Sequence, residues 1–89
     1  MGMTTYAITI QRTAQKSLDR IERPTRKRIE TAITNLATDP RPHGCTKLTA
    51  TDAYRVRVGN YRIVYTIDDQ IRIVDVTNIG HRGSIYQEV

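Results

Sequence analysis

Apolar and polar positions change period along this chain, and each change marks an element. Residues 5 to 10, Thr-Tyr-Ala-Ile-Thr-Ile, alternate, with Tyr6, Ile8 and Ile10 on one side. A period of two predicts a half-buried strand. From Arg12 the spacing shifts: Ala14, Leu18 and Ile21 recur at i, i+4 and i+7, and Glu22-Arg23-Pro24 breaks the pattern. That stripe predicts a short amphipathic helix. A second helix follows with Pro24 in its first turn, where the missing N–H costs nothing. Ile29, Ile33, Leu36 and Ala37 form its buried stripe, with Ala32 beside it. Asp39-Pro40 ends it, because a residue before proline is pushed out of the α region. The short connection predicts an antiparallel helical hairpin.

Residues 40 to 53, with Pro40, Pro42, Gly44 and several Thr, read as a loop. A meander follows. Tyr54 to Val58 alternate, Tyr61 to Tyr65 nearly so, and Gly59-Asn60 between them is a hairpin signal. Asp68-Asp69-Gln70 makes the next turn, and Ile71 to Val76 begin a last strand that Gly80 closes. The inward face of that strand is ambiguous, since Ile71 and Ile73 lie on one side and Val74 and Val76 on the other. The order β-α-α-β-β-β predicts an α+β fold: a helical hairpin packed on one face of a mostly antiparallel four-stranded sheet.

A two-residue turn at Gly59-Asn60 sets the pairing by arithmetic. Val58 faces Tyr61, Arg57 faces Arg62, Val56 faces Ile63, Arg55 faces Val64 and Tyr54 faces Tyr65. Side chains alternate across a sheet, so Tyr54, Val56, Val58, Tyr61, Ile63, Tyr65 and Ile67 line the core face. Arg55, Arg57 and Arg62 stand together on the other, expected to be open. Like charges directly opposite cost some tenths to about 1 kcal/mol. Three guanidiniums on one face read as a polyanion site, unless Asp75 or a neighbouring acid neutralises them.

Composition agrees with a polyanionic partner. The 89 residues carry 14 Lys+Arg against 9 Asp+Glu, a formal charge of +5. Eleven of the cations are Arg, whose planar fork grips phosphate with two hydrogen bonds. Arg26, Lys27 and Arg28 crowd the start of the second helix against its macrodipole; they are either a solvated face or a patch for an acidic partner. The length predicts one domain, residues 1–89, with Met1-Gly2 an appended start ahead of a native Met3. No apolar run approaches the about 20 residues that span a membrane, and the N-terminus lacks a signal peptide's apolar stretch. One cysteine, Cys45, allows no internal disulfide. A cytoplasmic protein is expected, with no metal and no cofactor.

After the last strand come Gly80-His81-Arg82-Gly83-Ser84-Ile85-Tyr86. His81 can exchange a proton near neutral pH, Arg82 adds a guanidinium, and Tyr86 offers a ring on which a base can stack. Beside the hairpin arginines they read as an RNA site. The stretch Lys47-Leu48, then Tyr54-Arg55-Val56-Arg57-Val58-Gly59-Asn60-Tyr61-Arg62-Ile63-Val64-Tyr65, then Ile79-Gly80-His81-Arg82 and Ile85-Tyr86 resembles the RelE-type toxins of bacterial and archaeal toxin–antitoxin pairs. RelE-like and ParE-like proteins share one fold.

The resemblance implies a type II toxin that cleaves mRNA in the decoding site of the ribosome's 30S subunit and so stops translation. It implies a cognate RelB-like antitoxin with an acidic segment, and a toxin–antitoxin hetero-oligomer. Arg55 and Arg57 fall where the best-known RelE proteins carry lysines implicated in phosphate binding and proton transfer. With Lys47 they form the implied RNA-binding set. Arg62 and Arg82 match phosphate-binding arginines, and Tyr86 matches the tyrosine that stacks on the substrate base. His81 lies where those proteins carry a lysine and some relatives a catalytic histidine. Arginine keeps its proton at pH 7, so with arginines at positions 55 and 57 proton transfer falls to His81. Arg62, His81, Arg82 and Tyr86 are the implied catalytic set. Gly83 stands where many relatives have a further arginine, and with three residues after Tyr86 no long C-terminal helix is expected. Two other readings remain: a ParE-like toxin that inhibits DNA gyrase and cuts nothing, and a non-catalytic RNA-binding module.

Overall fold

The change of period at Arg12 is a change of element. The computed structural model describes residues 5–81. Among them the chain runs β1 (Ala7–Ile10), α1 (Arg12–Asp19), α2 (Arg23–Asn35), β2 (Thr46–Lys47), β3 (Tyr54–Val58), β4 (Tyr61–Asp68) and β5 (Ile73–His81). The strands form one sheet in the order β1-β5-β4-β3-β2. β1 pairs with β5 in parallel, and the other neighbours are antiparallel. The four expected strands and the helical hairpin are therefore present, and the fold is α+β. A fifth strand, β2, lies within the stretch expected to be only loop. Its two residues pair with Arg55 and Tyr54 at the sheet edge. Among the described residues no helix is long and apolar enough to cross a membrane.

One core joins both helices to the middle of the sheet. Ala14, Leu18 and Ile21 from the first helical segment and Ile29, Ile33 and Leu36 from the second pack on Ile63, Tyr65, Val74, Val76 and Ile79. Tyr6, Ile8 and Ile10 cover one flank. Burying each such aliphatic side chain stabilises the fold by about 1.5–3 kcal/mol. Pro24 stands in the first turn of α2 as expected. The helix ends at Asn35, and a short turn carries the chain on to Asp39-Pro40. The Tyr65 hydroxyl donates to the Pro40 carbonyl at 2.8 Å, fixing that exit to the central strand.

Two local devices set the sheet. Gly59 has φ +60 at the first position of the β3–β4 turn, as a type II′ hairpin requires. The five pairs from Val58↔Tyr61 to Tyr54↔Tyr65 follow, as the two-residue turn dictates. The second device is a bulge. Val64 pairs with Asn78 but Tyr65 pairs with Val76, so Thr77 is skipped. The Thr77 hydroxyl donates to the Val64 carbonyl at 3.3 Å. One extra residue exchanges the two faces of a strand. Val74 and Val76 are buried before the bulge, and Ile79 after it. This resolves the ambiguous face.

The strand begins at Ile73 rather than Ile71, because the β4–β5 turn is longer than expected. Asp68 accepts from the backbone N–H groups of Gln70 and Ile71. Arg72 then takes a left-handed conformation, φ 58, and Ile71 is left 66% exposed.

Candidate functional site

The register brings three arginines to the sheet face opposite the helices. Arg57 and Arg62 are direct cross-strand partners, and Arg55 stands two residues further along β3. Arg57 is exposed and Arg55 half-buried. Arg62 departs from the expected open face: it is 3% exposed. The cause is its place on β4, the middle strand, with β3 on one side and β5 on the other. The face is also partly covered near Val64, which packs with Ala53 and Leu48. The loop between those two is closed by a bond from the Leu48 N–H to the Ala53 carbonyl at 2.9 Å.

Asp75 is engaged elsewhere. Its two carboxylate oxygens accept from the Thr9 hydroxyl at 2.7 Å and the Gln11 amide at 2.9 Å. It pairs with Thr66, whereas Arg62 pairs with Gly80. Four residues of strand separate those positions, about 13 Å at 3.3 Å per residue. Asp75 therefore braces β1 against β5 at a distance from the arginines.

The bulge decides where His81 lies. Direct partners share a face, and His81 is the partner of Tyr61. Its ring meets Tyr61 edge-on, with centroids 5.2 Å apart and planes at 82°. His81 is exposed but stands on the Tyr61 side, while Gly80 occupies the position beside Arg62. The structure therefore does not bring His81 onto the arginine face; the two sets adjoin only at the end of β5. Lys47 is likewise set apart. It pairs with Tyr54, a core-side residue, and Thr46 is the partner of Arg55. Arg82 and Tyr86 lie outside the described residues. Among those described, no group of three His, Cys, Asp or Glu side chains stands together to hold a metal.

A polar clasp stands at the opposite end of the sheet. Arg41 forms a salt bridge with Asp69 at 2.9 Å and donates from Nε to the Tyr54 hydroxyl at 3.2 Å. Its guanidinium lies 5.3 Å from the Tyr54 ring centre, and Tyr54 stacks on Tyr65. Tyr6 donates to Asp69 at 2.7 Å. The clasp ties the start of β1, the segment after α2 and the β4–β5 turn together. The Tyr54–Tyr65 pair follows from the hairpin register, but Tyr6, Arg41 and Asp69 lie far apart in sequence and no spacing announces their contacts.

The Asp69 carboxyl is held below the usual carboxylate value, first by the hydrogen bond from Arg41 and then by that from Tyr6. A lowered folded-state pKa means that the unfolded chain takes up the proton first as pH falls. The stabilisation is fully present above the unfolded value and is lost as pH drops through the folded one. Melting temperatures measured from about pH 5 to pH 2 should fall, and more shallowly in Asp69→Asn. Parallel curves for the two proteins would show that the clasp does not couple to folding.

The model of the ParE toxin of the type II toxin–antitoxin system, parDE, matches residues 8–86. Comparison with curated protein sequences returns no match. Among solved structures, the chain is similar to RelE of the archaeal RelE–RelB complex of Pyrococcus horikoshii. Identity there is 26% with a TM-score of 0.81, covering 89% of this chain and 97% of that one. The toxin–antitoxin complex RelBE2 of Mycobacterium tuberculosis matches at 25% identity and TM-score 0.78, covering 90% and 94%. The RelB–RelE complex of Methanococcus jannaschii matches at 26% and 0.72, covering 90% and 96%. With a family model spanning the helical hairpin, the arginine-bearing strands and the residues beyond β5, this chain belongs to the ParE toxin family and is a toxin of a type II toxin–antitoxin system in the RelE/ParE superfamily.

Proposed function

We propose that the toxin is an mRNA interferase that cuts messages on the ribosome. The observation that carries this reading is the arginine face: Arg57 and Arg62 are placed directly opposite each other, with Arg55 alongside. Guanidiniums fixed opposite each other on one face are placed to take a phosphate between their planar forks. The reaction proposed uses the substrate's own nucleophile. The ribose 2′-OH attacks the adjacent phosphorus, the P–O5′ bond breaks, and the 2′-OH proton is passed on as the leaving 5′-oxygen gains one. The products are a 2′,3′-cyclic phosphate and a free 5′-OH.

The crowded phosphate gains negative charge on the way, and preorganised cations stabilise that charge. Arg62, buried and held by the central strand, has this role, together with Arg82. Arg55 and Arg57 hold the flanking backbone, Tyr86 stacks on the base, and His81 carries the proton; Lys47, on the other face of the edge strand, has no part at this nucleotide. For Arg62 and His81 to act on one nucleotide, the scissile phosphate must sit at the end of β5, over the glycine that separates them. Site and partner are cytoplasmic in this reading. The silencing partner is a cognate antitoxin, as RelB is named with RelE in the similar complexes. It would act through an acidic segment in a toxin–antitoxin hetero-oligomer.

The match to the ParE model favours a second reading, a toxin that inhibits DNA gyrase without cutting RNA. Pulse labelling after induction without antitoxin separates the two. Protein synthesis should stop first, with new message 5′ ends carrying free hydroxyls. If DNA synthesis stops first and translation persists, the gyrase reading replaces the nuclease.

A further inference from the structure

By sequence, Arg26, Lys27 and Arg28 at the start of α2 are either a solvated face or a binding patch. The structure places them beside the arginine face. Arg28 Nη1 lies 3.8 Å from where a Cβ on Gly59 would stand, so its guanidinium sits against the β3–β4 turn. Arg57 lies two residues before that glycine and Arg62 three after it, on the opposite side of the sheet from the helices. Cations therefore flank the hairpin tip on both sides. Behind Arg28, the exposed Arg23 and Lys27 stand one helical turn apart, with half-buried Arg26 beside them. The first turn of α2 contains no acidic residue to offset the helix dipole. Only Glu22 and Glu30 oppose four cations over residues 22–30.

We infer that Arg23, Lys27 and Arg28 form an RNA-backbone ridge: the message strand flanking the bound nucleotide leaves the arginine face, rounds the hairpin tip and runs along the start of α2. This rests on the reading of the arginine face as an RNA site and adds the path of the strand beyond it. The occupant is a phosphate chain rather than an acidic peptide because the ridge has no apolar anchor. Pro24 apart, the apolar residue among these cations is Ile29, and it is fully buried. An amphipathic peptide needs an apolar pocket at such a contact, whereas a phosphodiester strand needs cations at intervals. The Tyr61–His81 pair stands on this same side of the tip and offers rings to a passing base.

The test is the salt dependence of binding to 2′-O-methyl RNA, which cannot be cleaved by 2′-OH attack. Wild type is compared with Arg23→Gln/Lys27→Gln/Arg28→Gln on a trinucleotide and on a strand of about 15 nucleotides. Glutamine suits a helix interior, and the change removes charges that oppose the dipole, so the fold is retained; melting curves verify this.

For the long strand, the slope of log affinity against log salt should become shallower by about 2, at about 0.7 per lost phosphate contact. Wild-type affinity should then fall about 16-fold further than the variant's between about 50 and 200 mM salt. The trinucleotide should bind both proteins alike. Equal slopes on the long strand, or equal losses on both lengths, overturn the inference. So does a loss of affinity confined to a glutamate-rich peptide or to ribosomes, which assigns the ridge to a protein or to ribosomal RNA. Cleavage on programmed ribosomes is scored separately. A wild type that cuts nothing while the slope still drops removes the nuclease and keeps the ridge; a wild type that binds neither strand removes both.

Discussion

Replacing Arg62 by alanine is expected to slow single-turnover cleavage on programmed ribosomes by about 10²–10³-fold, the usual cost of losing one positioned charge that acts in the transition state. The expectation follows from where the guanidinium stands. Arg62 is on the central strand, 3% exposed, between Arg57 and Gly80. A charge held in a fixed place away from solvent interacts more strongly than a mobile surface one. Arg57, exposed on the neighbouring strand, should matter less. Arg57→Ala should mainly weaken binding and reduce its salt dependence by about one unit.

Burial also makes truncation of Arg62 a risk to the fold, so Arg62→Lys is needed beside it. Lysine keeps the charge but loses the planar fork. A folded Arg62→Lys protein that binds like wild type and cuts slowly would place the loss in the chemistry. An Arg62→Ala protein that melts normally and cuts at the wild-type rate would remove Arg62 from the mechanism.

The parts of the fold that were legible are those decided by local rules. Gly59-Asn60 dictates a two-residue turn, the turn dictates the register, and the register assigns each side chain of β3 and β4 to a face. All five expected pairs are present. The helices were legible because Ala14, Leu18, Ile29 and Ile33 repeat at helical spacing and are buried as that spacing requires. What stayed hidden depends on long-range contacts or on single-residue irregularities. β2 is two residues long, too short to show a period. The Arg41–Asp69–Tyr6 clasp joins segments far apart in sequence. Burial of Arg62 follows from the order of strands in the sheet rather than from its neighbours in the chain.

The skipped Thr77 had the largest consequence for the site. Unbroken alternation from Val74 and Val76 puts His81 on the same face as Arg62. With the bulge, Gly80 takes that position and His81 joins Tyr61. No residue near Thr77 signals a bulge, since the strand contains no glycine before Gly80.

That displacement makes His81→Gln the sharper test of how the site works. Glutamine keeps a polar side chain of similar reach but cannot carry a proton at neutral pH. If His81 serves the nucleotide bound by Arg62, the cleavage step should fall by about 10²-fold, with binding to the ribosome nearly unchanged. Such a loss could also arise from disturbing Tyr61, whose ring His81 meets at 5.2 Å. Added imidazole tells the two apart: a missing proton carrier is partly replaced by a free one, whereas a misplaced Tyr61 is not. Tyr61→Phe gives the complementary control, since it keeps the edge-on ring contact and should leave the rate within a few-fold. Rescue of His81→Gln by imidazole would mean that the substrate reaches over the end of β5 and contacts both sides of the sheet at once. A wild-type rate in His81→Gln would confine the chemistry to the arginine side and leave His81 as a support for Tyr61 at the hairpin tip.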